Sequence, residues 1–259
     1  MTKAFDLGLI GMPALVTGGA AGIGRATALL LAECGAHVAI VDKDEAGAVA
    51  LAGEINHAGG RAIAIFADAS RDDDIRAAVA EAEASLGVIR VLVNNVGIGE
   101  RRPVVDIPVE DWRNAMDINL TATFLFSQLV ARRMVDEGLE GSIVCIASVA
   151  GETGVLNRSS YVASKHGVVG FTKTLALELA RHSIRVNAVA PGMVATNLTA
   201  KLLSDPTRME RSNAAHPMNR VGRPEEIADA VVFLASSRSS FTTGAVLAVD
   251  GGFLAGKDS

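Results

Sequence analysis

The chain has 259 residues, of which 49% are apolar and 20% charged, so it can bury the core of a large domain and is not disordered. Its net charge of −5, with basic residues scattered along the chain, excludes an electrostatic basis for nucleic-acid binding. The two cysteines and five histidines lack the spacing of a zinc site, and no apolar stretch reaches the length of about 18 residues that a membrane span requires.

The beginning of the chain and its cysteines indicate the compartment. Residues 1–19 contain neither a continuous apolar segment nor a cleavage site, so we expect no secretory signal peptide. Cys34 and Cys145 lie far apart in apolar surroundings, as buried thiols of a reducing compartment do. We therefore expect a soluble, cytoplasmic protein without a metal site.

Short apolar runs rich in β-branched residues recur along the chain and predict strands. Their near-continuous apolar character is typical of parallel strands that are covered on both faces. The predicted strands span residues 14–19, 37–42, 61–68, 90–95, 142–148, 184–191 and 245–252.

Between these runs lie longer segments with apolar residues at intervals of three and four, which predict helices over 23–35, 44–60, 71–87, 109–138, 160–182 and 224–237. Strand and helix alternate throughout. This pattern predicts an α/β fold, a doubly wound parallel sheet with helices on both faces, as a single domain over 1–259. Residues 193–222 interrupt the alternation, and a polar connection of this length is typical of a functional lid.

The first predicted strand is joined to the first helix by the glycine-rich sequence TGGAAGIG. Gly18, Gly22 and Gly24 follow a GxxxGxG spacing, which differs from the usual GxGxxG fingerprint of dinucleotide sites. Glycines here permit a tight turn and let a pyrophosphate approach the N–H groups at the helix N-terminus. A plain tight turn is the alternative interpretation of the same residues.

The second predicted strand ends at Asp42, where a carboxylate can accept hydrogen bonds from the ribose hydroxyls of a dinucleotide and repel a 2′-phosphate. The alternative is that Asp42 caps the following helix. Lys43 favours a phosphate, whereas Ala21 leaves the glycine turn without a basic residue. We therefore predict NAD rather than NADP as the cofactor.

Tyr161, the only tyrosine of the chain, is followed four residues later by Lys165 and preceded by Ser148 at the end of the fifth predicted strand. A separation of four places Tyr161 and Lys165 on one helix face. A nearby ammonium, together with the positive nicotinamide ring, favours the phenolate, so we predict a lowered pKa for Tyr161 and a role as general acid/base. Ser148 can hydrogen-bond the substrate oxygen, although a serine at a strand end is often only a cap.

These motifs together resemble those of the short-chain dehydrogenase/reductase family. The resemblance covers nearly the whole chain, from TGGAAGIG through NNVG (94–97), SVAG (148–151), YVASK (161–165), APG (190–192) and VDGG (249–252). It implies a sheet of seven strands in the order 3-2-1-4-5-6-7. It also implies a catalytic set of four residues, namely Asn119, Ser148, Tyr161 and Lys165.

The resemblance assigns further contacts to the cofactor. Lys165 is expected to hold the nicotinamide ribose, and Asn119 a water of a proton relay, unless Asn119 only bonds local backbone. The remaining cofactor contacts that it implies are Ile23, Asp68 and Ala69 near the adenine, Asn95 and Gly97 near the ribose, and Val194 and Thr196 near the carboxamide.

The function expected from these features is hydride transfer between NAD(H) and a small secondary alcohol or ketone. A 3-oxoacyl-carrier-protein reductase using NADPH is the closest alternative, with Arg132 and Arg133 as candidates for docking an acidic carrier. A non-catalytic dinucleotide sensor on the same fold is an alternative of a different class. The substrate itself stays open, with a pocket expected from residues 149–158, the loop after Gly97 and the lid.

The predicted helices around 109–135 and 159–181 carry apolar residues on more than one face, so they need a second partner besides the sheet. The resemblance implies that these helices pair across a two-fold axis and that the VDGG segment forms a second interface. We therefore predict a homotetramer with 222 symmetry, in which each active site is built from one subunit. The alternative is a monomer whose lid covers the extra surface.

Overall fold

The computed structural model describes residues 7–197, 199, 200 and 204–256. The described residues do not include the two ends of the predicted domain 1–259, namely residues 1–6 and 257–259, or residues 198 and 201–203 of the predicted lid. Residues 1–6 are also the beginning of the segment 1–19 in which we expect no signal peptide. Seven parallel strands form one sheet in the order β3-β2-β1-β4-β5-β6-β7, which confirms the predicted fold class and strand order.

The strands are short and apolar. Those inside the sheet are largely buried, as parallel strands covered on both faces must be, whereas the two edge strands are partly exposed. Their bounds are β1 Pro13–Thr17, β2 His37–Asp42, β3 Arg61–Phe66, β4 Val91–Asn94, β5 Gly141–Ile146, β6 Ile184–Pro191 and β7 Val246–Val249. The predicted first strand ends two residues early, because Gly18 begins the turn with a φ of +62°. The predicted last strand also ends early, at Val249, before Gly251 and Gly252 turn the chain with positive φ angles.

Helices connect the strands on both faces of the sheet. Their bounds are α1 Gly22–Glu33, α2 Glu45–His57, α3 Asp72–Leu86, α4 Val109–Met116, α5 Ala122–Asp136, α6 Ser159–Leu179, α7 Pro206–Ala214 and α8 Pro224–Ala235. A π-helical turn, Asp117–Thr121, separates α4 from α5. The helix predicted over 109–138 is therefore two helices, and π-turns of this kind are frequent at functional sites.

The core has two layers, one on each face of the sheet. Buried side chains of α3, α5 and α6 pack on one face, with Phe126 and Met134 among the largest of them. Buried side chains of α1, α2 and α8 pack on the other face, with Leu31 and Ile227 at its centre. The sheet is thus covered on both sides, and its open edge at the carboxyl ends of the strands is where ligands bind in such folds.

The predicted lid leaves the sheet after β6, and its far end at Gly222 pairs with its own beginning at Val194. Its two ends are joined by backbone hydrogen bonds, from Ala195 N–H to the Gly222 carbonyl (3.0 Å) and from Gly222 N–H to the Met193 carbonyl (2.8 Å). Helix α7 lies inside this segment, which the sequence pattern did not predict as a helix. Among the described residues, no helix is both long and apolar enough to cross a lipid bilayer.

Candidate functional site

A cavity of about 440 Å³ opens at the carboxyl ends of the central strands, between the glycine turn at one end and α6 at the other. Most of the predicted site residues line it, although they come from distant parts of the chain. They are Gly18, Gly22, Ile23, Asp42, Asp68, Ala69, Asn95, Gly97, Ser148, Tyr161, Lys165, Val194 and Thr196. Two predicted residues, Gly24 and Asn119, do not line the cavity.

The glycine turn presents the N-terminus of α1 to this cavity. The N-cap residue Ala21 has an extended backbone and no side-chain hydrogen bond to the helix, and the first turn contains no acidic residue. The first N–H groups of α1 are therefore not satisfied by a capping side chain, and this arrangement suits a pyrophosphate. Gly24 acts within the turn, because a Cβ there would lie 2.6 Å from Asn95 Nδ2 and collide with the Gly18 carbonyl oxygen.

Asn95 braces the glycine turn. Its Nδ2 donates hydrogen bonds to the carbonyl oxygens of Thr17 (3.0 Å) and Gly18 (2.9 Å). Thr17 completes the brace, since its Oγ1 accepts from the N–H groups of Asn95 (3.0 Å) and Val96 (3.1 Å). Both amide hydrogens of Asn95 are thus engaged by protein atoms, and its side chain positions the turn next to the predicted ribose site.

Asp42 extends from the end of β2 toward the same turn. Its carboxylate accepts hydrogen bonds from Ala20 N–H (2.9 Å) and Asp44 N–H (2.9 Å). Asp44, not Asp42, caps α2, because its side chain accepts from Gly47 N–H. The capping alternative for Asp42 is therefore wrong, and the position of the carboxylate fits a ribose diol, with Lys43 also lining the cavity.

Asp68 and Ala69 line the cavity just after β3, where the adenine was predicted. The Asp68 carboxylate accepts hydrogen bonds from Ser70 N–H (2.9 Å) and Ser70 Oγ (2.7 Å). These hydrogen bonds lower the pKa of Asp68, so it is ionised at neutral pH. Hydrogen-bond donors at the adenine end of a ligand therefore meet a fixed negative acceptor here.

Ser148, Tyr161 and Lys165 meet at the other end of the cavity. Ser148 follows β5, and its Oγ accepts from Ala150 N–H at 3.1 Å as the cap of a short turn, Val149–Gly151. Tyr161 and Lys165 lie on the same face of α6, with Lys165 Nζ 5.8 Å from the centre of the Tyr161 ring. Ser148 is thus a cap and also a member of this group, since its hydroxyl hydrogen-bonds the Tyr161 side chain.

Lys165 is the buried cation of the group, with 3% of its surface exposed. Its Nζ donates a 2.7 Å hydrogen bond to the Ile146 carbonyl oxygen. Burial lowers the pKa of Lys165 to about 8, against a smaller opposing effect of the nearby Cys145. The ammonium is therefore less strongly protonated than an ordinary lysine, and it is anchored to β5 in a fixed position.

The pKa of Tyr161 differs from the sequence-based expectation. Burial raises the pKa of Tyr161 above its ordinary value, while the Ser148 hydrogen bond and the Arg158 cation lower it less strongly. We expected Lys165 to lower this pKa, but its ammonium is turned to the Ile146 carbonyl, and the cation that acts on the phenol is Arg158. In the protein alone, desolvation of the phenolate exceeds the favourable charge effects, so the effect predicted for Lys165 is wrong. The effect predicted for the positive nicotinamide ring stays a prediction.

Asn119 is fully buried behind the cavity, in the π-turn between α4 and α5. Its Oδ1 accepts from Ile98 N–H (2.8 Å), and its Nδ2 donates to the Ile98 carbonyl (2.9 Å) and to Ser164 Oγ (3.0 Å). The side chain therefore joins the loop after β4 to α6, three residues after Tyr161. This geometry makes Asn119 a positioning residue, and its side-chain amide hydrogens are both used by protein atoms.

Two site residues were not predicted from the sequence. Arg158 places its guanidinium carbon 5.3 Å from the centre of the Tyr161 ring. His216, in the predicted lid, is 5% exposed; its Nε2 accepts from Met193 N–H (3.1 Å), and its Nδ1 contacts the Ser212 carbonyl (2.6 Å). A lone histidine and a lone arginine carry no spacing signal, so only the fold shows that they adjoin the site.

No cluster of three or more histidine, cysteine, aspartate or glutamate residues able to hold a metal ion occurs in the part of the chain that the structure describes. The polar groups that line the cavity are instead backbone amides, hydroxyls, one buried ammonium and, near Asp42 and Asp68, carboxylates that accept hydrogen bonds. Such a set fits an elongated dinucleotide.

Comparison with known proteins places this geometry among related sequences. Residues 18–254 match the family model described as enoyl-(acyl carrier protein) reductase. The chain is 44% identical to cis-4-hydroxycyclohexanecarboxylate dehydrogenase of Sinomonas cyclohexanicum over 93% of its own length and 96% of that protein. It is 41% identical to 2,5-dichloro-2,5-cyclohexadiene-1,4-diol dehydrogenase of Sphingobium indicum, over 95% of this chain and 98% of the relative.

Two further similarities bear on the cofactor and on the alternative function. The chain is 40% identical to a 3-oxoacyl-[acyl-carrier-protein] reductase of Thermotoga maritima, over 95% of its length and 99% of that protein. A crystal structure of a Beutenbergia cavernae protein with NADP bound at low occupancy matches with a TM-score of 0.92 and 41% identity, over 96% of this chain and 98% of that chain.

Proposed function

Because this chain belongs to the short-chain dehydrogenase/reductase family and is an oxidoreductase of CH–OH groups, we propose that it oxidises secondary ring alcohols to ketones with NAD. The observation that carries the proposal is the cavity itself. One end carries the uncapped N-terminus of α1 and Asp42, and the other end carries Ser148, Tyr161 and Lys165. A cofactor site thus leads directly to an acid/base group.

We propose ring alcohols as substrates because two of the relatives, from Sinomonas cyclohexanicum and Sphingobium indicum, act, by their names, on hydroxyl groups of six-membered rings. The cavity near Tyr161 supports a compact, largely apolar substrate. Ile98 and Ile146 line the cavity together with the few polar groups of the reacting end. Such a lining favours a carbon ring and leaves the polar contacts to orient the hydroxyl.

The chain's own residues can carry the proton and hold the alcohol. Ser148 hydrogen-bonds the substrate oxygen and orients it toward Tyr161. Tyr161, as phenolate, accepts the hydroxyl proton while the C–H electron pair leaves as hydride and the C–O bond becomes a carbonyl. NAD, when bound, supplies the acceptor for that hydride. Lys165 holds the nicotinamide ribose, and Asn119 fixes the loop at Ile98 against α6.

NAD, rather than NADP, is proposed because of Asp42. Its carboxylate lies at the end of β2 in the cavity, where it would accept the ribose hydroxyls and repel a 2′-phosphate. Lys43 next to it acts in the opposite direction, and the Beutenbergia cavernae relative binds NADP. The negative charge is held in place by two backbone N–H groups, which supports the preference for NAD.

A carrier-protein reductase using NADPH is the second candidate, since one relative has that activity. Docking of an acidic carrier would need free cations, yet Arg133 is paired with Glu83 (3.1 Å) and Glu137 (3.2 Å). Of these two arginines, only Arg132 is exposed. We therefore place this activity behind oxidation of ring alcohols, and a non-catalytic dinucleotide sensor behind both, because the complete acid/base group would have no use in a sensor.

We further propose that the chain acts as a single catalytic domain over 1–259, with a substrate lid at 193–222, and assembles into a homotetramer in the cytoplasm. The family match over residues 18–254 and the described lid helix α7 support the first part. Exposed apolar side chains on α5 and α6 support the assembly. No nucleic acid or membrane partner enters the proposal.

The proposal is tested with the purified protein and a panel of alcohols, each offered with NAD and with NADP. The panel contains cyclohexanol, cyclohexanediols, sugars, hydroxy acids and 3-hydroxyacyl thioesters. We expect reduction of NAD with the ring alcohols and slower reaction with NADP. Turnover confined to acyl thioesters with NADP(H) would establish the carrier-protein alternative, and no turnover with any alcohol would leave the sensor hypothesis.

A further inference from the structure

Arg158 lies one residue before α6, and no acidic side chain pairs with its guanidinium among the described residues. The loop after β4 faces Arg158. A hydrogen bond from Arg102 N–H, in this loop, to the carbonyl of Asn157, the residue before Arg158, joins the two segments (2.9 Å). Glu100, in that loop, and Asp111, in α4, both form ion pairs with Arg102, at 2.6 and 2.9 Å. Arg158 is therefore a cation without a counter-charge of its own.

The surroundings of Arg158 disfavour its positive charge. The side chain is half-buried, and burial lowers the pKa of Arg158, with a further contribution from the nearby Arg101 cation. The whole molecule carries a net charge of −5, so this local excess of positive charge runs against the overall balance. Half-buried cations that are not paired within a protein are typical of sites for anionic ligands.

The guanidinium is also a neighbour of the predicted acid/base. Its carbon is 5.3 Å from the centre of the Tyr161 ring. Gly99, in the loop after β4, packs against both side chains, since a Cβ there would lie 2.8 Å from Arg158 Nη1 and 3.4 Å from Tyr161 Cδ2. Because Arg158 and Tyr161 are this close, a molecule with its hydroxyl at Tyr161 can present a second group to Arg158.

We propose that the physiological substrate carries a carboxylate, and that Arg158 binds this carboxylate while the hydroxyl group reacts at Tyr161. The planar guanidinium offers two parallel N–H donors that match the two oxygens of a carboxylate. Arg101 adds attraction at longer range. The inference rests on the proposed function, because it assumes that Tyr161 is the end of the cavity where the alcohol reacts.

The test compares matched alcohols with and without a carboxylate, using NAD. One pair is 4-hydroxycyclohexanecarboxylate and cyclohexanol, and the other is 3-hydroxybutyrate and 2-butanol. The value of kcat/KM is measured for the wild-type protein, Arg158→Gln, Arg158→Lys and Arg132→Gln. Arg132→Gln removes the same charge from the exposed surface of α5 and is the matched control. Binding of NADH, followed by its fluorescence, shows that each variant is folded.

We expect the wild-type protein to prefer the carboxylate of at least one pair by about tenfold or more, the effect of a hydrogen-bonded charge. Arg158→Gln should reduce this preference by about 10- to 100-fold, Arg158→Lys should reduce it less, and Arg132→Gln should leave it unchanged. If the wild type oxidises the neutral alcohols as well as the carboxylates, the inference is wrong and the proposed function stands.

Two other outcomes overturn the inference in different ways. If Arg158→Gln lowers kcat/KM for both members of a pair in parallel and moves the pH profile to higher pH, Arg158 acts only on the pKa of Tyr161 and does not bind a carboxylate. If no alcohol of either pair is oxidised with NAD or NADP, the proposed function and the inference fall together.

Discussion

At Asp42, one carboxylate is proposed to select between two cofactors that differ by a single phosphate. Asp42→Asn removes the charge but keeps an oxygen that can accept from Ala20 N–H or Asp44 N–H, so the turn should stay in place. We expect the ratio of kcat/KM for NAD over NADP to fall by about tenfold or more, because the repulsion of the 2′-phosphate is lost. Steady-state kinetics with both cofactors measure this ratio.

The control for this experiment is Asp229→Asn, which removes a carboxylate from the exposed face of α8. It should leave the ratio as in the wild-type protein. A wild-type protein that already prefers NADP would show that the role given to Asp42 is wrong, and an unchanged ratio in Asp42→Asn would lead to the same conclusion.

Because Tyr161 is the only tyrosine, ultraviolet difference spectroscopy of the phenolate follows its ionisation without interference from other tyrosines. The Ser148 hydroxyl stabilises the phenolate, so removing it in Ser148→Ala should raise the pKa of Tyr161. The titration midpoint of the variant should therefore lie at higher pH than that of the wild type. The rising limb of alcohol oxidation against pH should move in the same direction, since the base must be deprotonated to act.

The spectroscopic control is Tyr161→Phe, in which the phenolate transition should disappear. A midpoint in Ser148→Ala that equals the wild-type value, or lies below it, would show that Ser148 does not contact the phenol and serves only as a cap of the turn after β5.

Several residues of the candidate site could be predicted from the sequence. Tyr161 and Lys165 were found because one helical turn separates them, and Asp42 because parallel strands end at a common edge. The direction of the pKa shift of Tyr161 was not predictable, because desolvation depends on the packing of elements that are distant in sequence. Arg158 was missed for a related reason: its missing counter-charge is visible only after the ion pairs of Arg102 are known.

Among the elements, the lid between β6 and α8 is held to the cofactor end of the cavity by His216. Its ring packs beside Phe253 at 5.5 Å, and its Nε2 accepts from Met193 N–H next to the cavity residue Gly192. His216→Leu fills this place with an apolar side chain and removes the Nε2 acceptor of the Met193 N–H. We expect KM for NAD to rise by about tenfold with a smaller change in kcat, because the lid residues Val194 and Thr196 lose their support.

His57→Leu, a substitution of an exposed histidine on α2, is the matched control and should leave KM unchanged. Steady-state kinetics with NAD as the varied substrate give both constants. A normal KM for NAD in His216→Leu would contradict the role of this residue in holding the lid. A loss of kcat with an unchanged KM would show that His216 acts on the chemical step instead.

Element prediction was most accurate where the period of apolar residues is regular. The strands and the helices of the sheet layers follow directly from continuous or three-to-four-residue apolar patterns. The π-turn at Asp117–Thr121 and the lid helix α7 were missed, because the first lies within a continuous helical pattern and the second has almost no apolar face. Their positions depend on hydrogen bonds that they make with other elements.

Several large apolar side chains are exposed among the described residues, and two groups of them lie near the predicted interfaces. Phe124 and Leu177, 42% and 82% exposed, lie on α5 and α6, where Phe124 also makes an edge-to-face contact with Phe171. Phe241 is fully exposed, and Leu247 is 36% exposed on the edge strand β7. Two separate apolar regions of this kind are consistent with two interfaces, as a tetramer with 222 symmetry requires.

Light scattering at micromolar concentration should therefore give the mass of four chains. Leu177→Lys places a charge in the first region and should give dimers that remain folded, because this side chain contributes little to the core. A wild-type mass of one chain would reject the prediction and favour a lid that covers the surface. A wild-type dimer would leave only one of the two interfaces standing.

The central claim is that Tyr161 transfers the proton of a secondary alcohol in an NAD-dependent oxidation, and Tyr161→Phe tests it most directly. This variant removes only the hydroxyl, so binding of NADH should remain close to that of the wild type. Pre-steady-state and steady-state rates with the best ring alcohol and NAD should show a loss in kcat of about 100-fold or more, the effect of a missing general base. A Tyr161→Phe variant with nearly normal kcat would show that Tyr161 is not the general base of the oxidation.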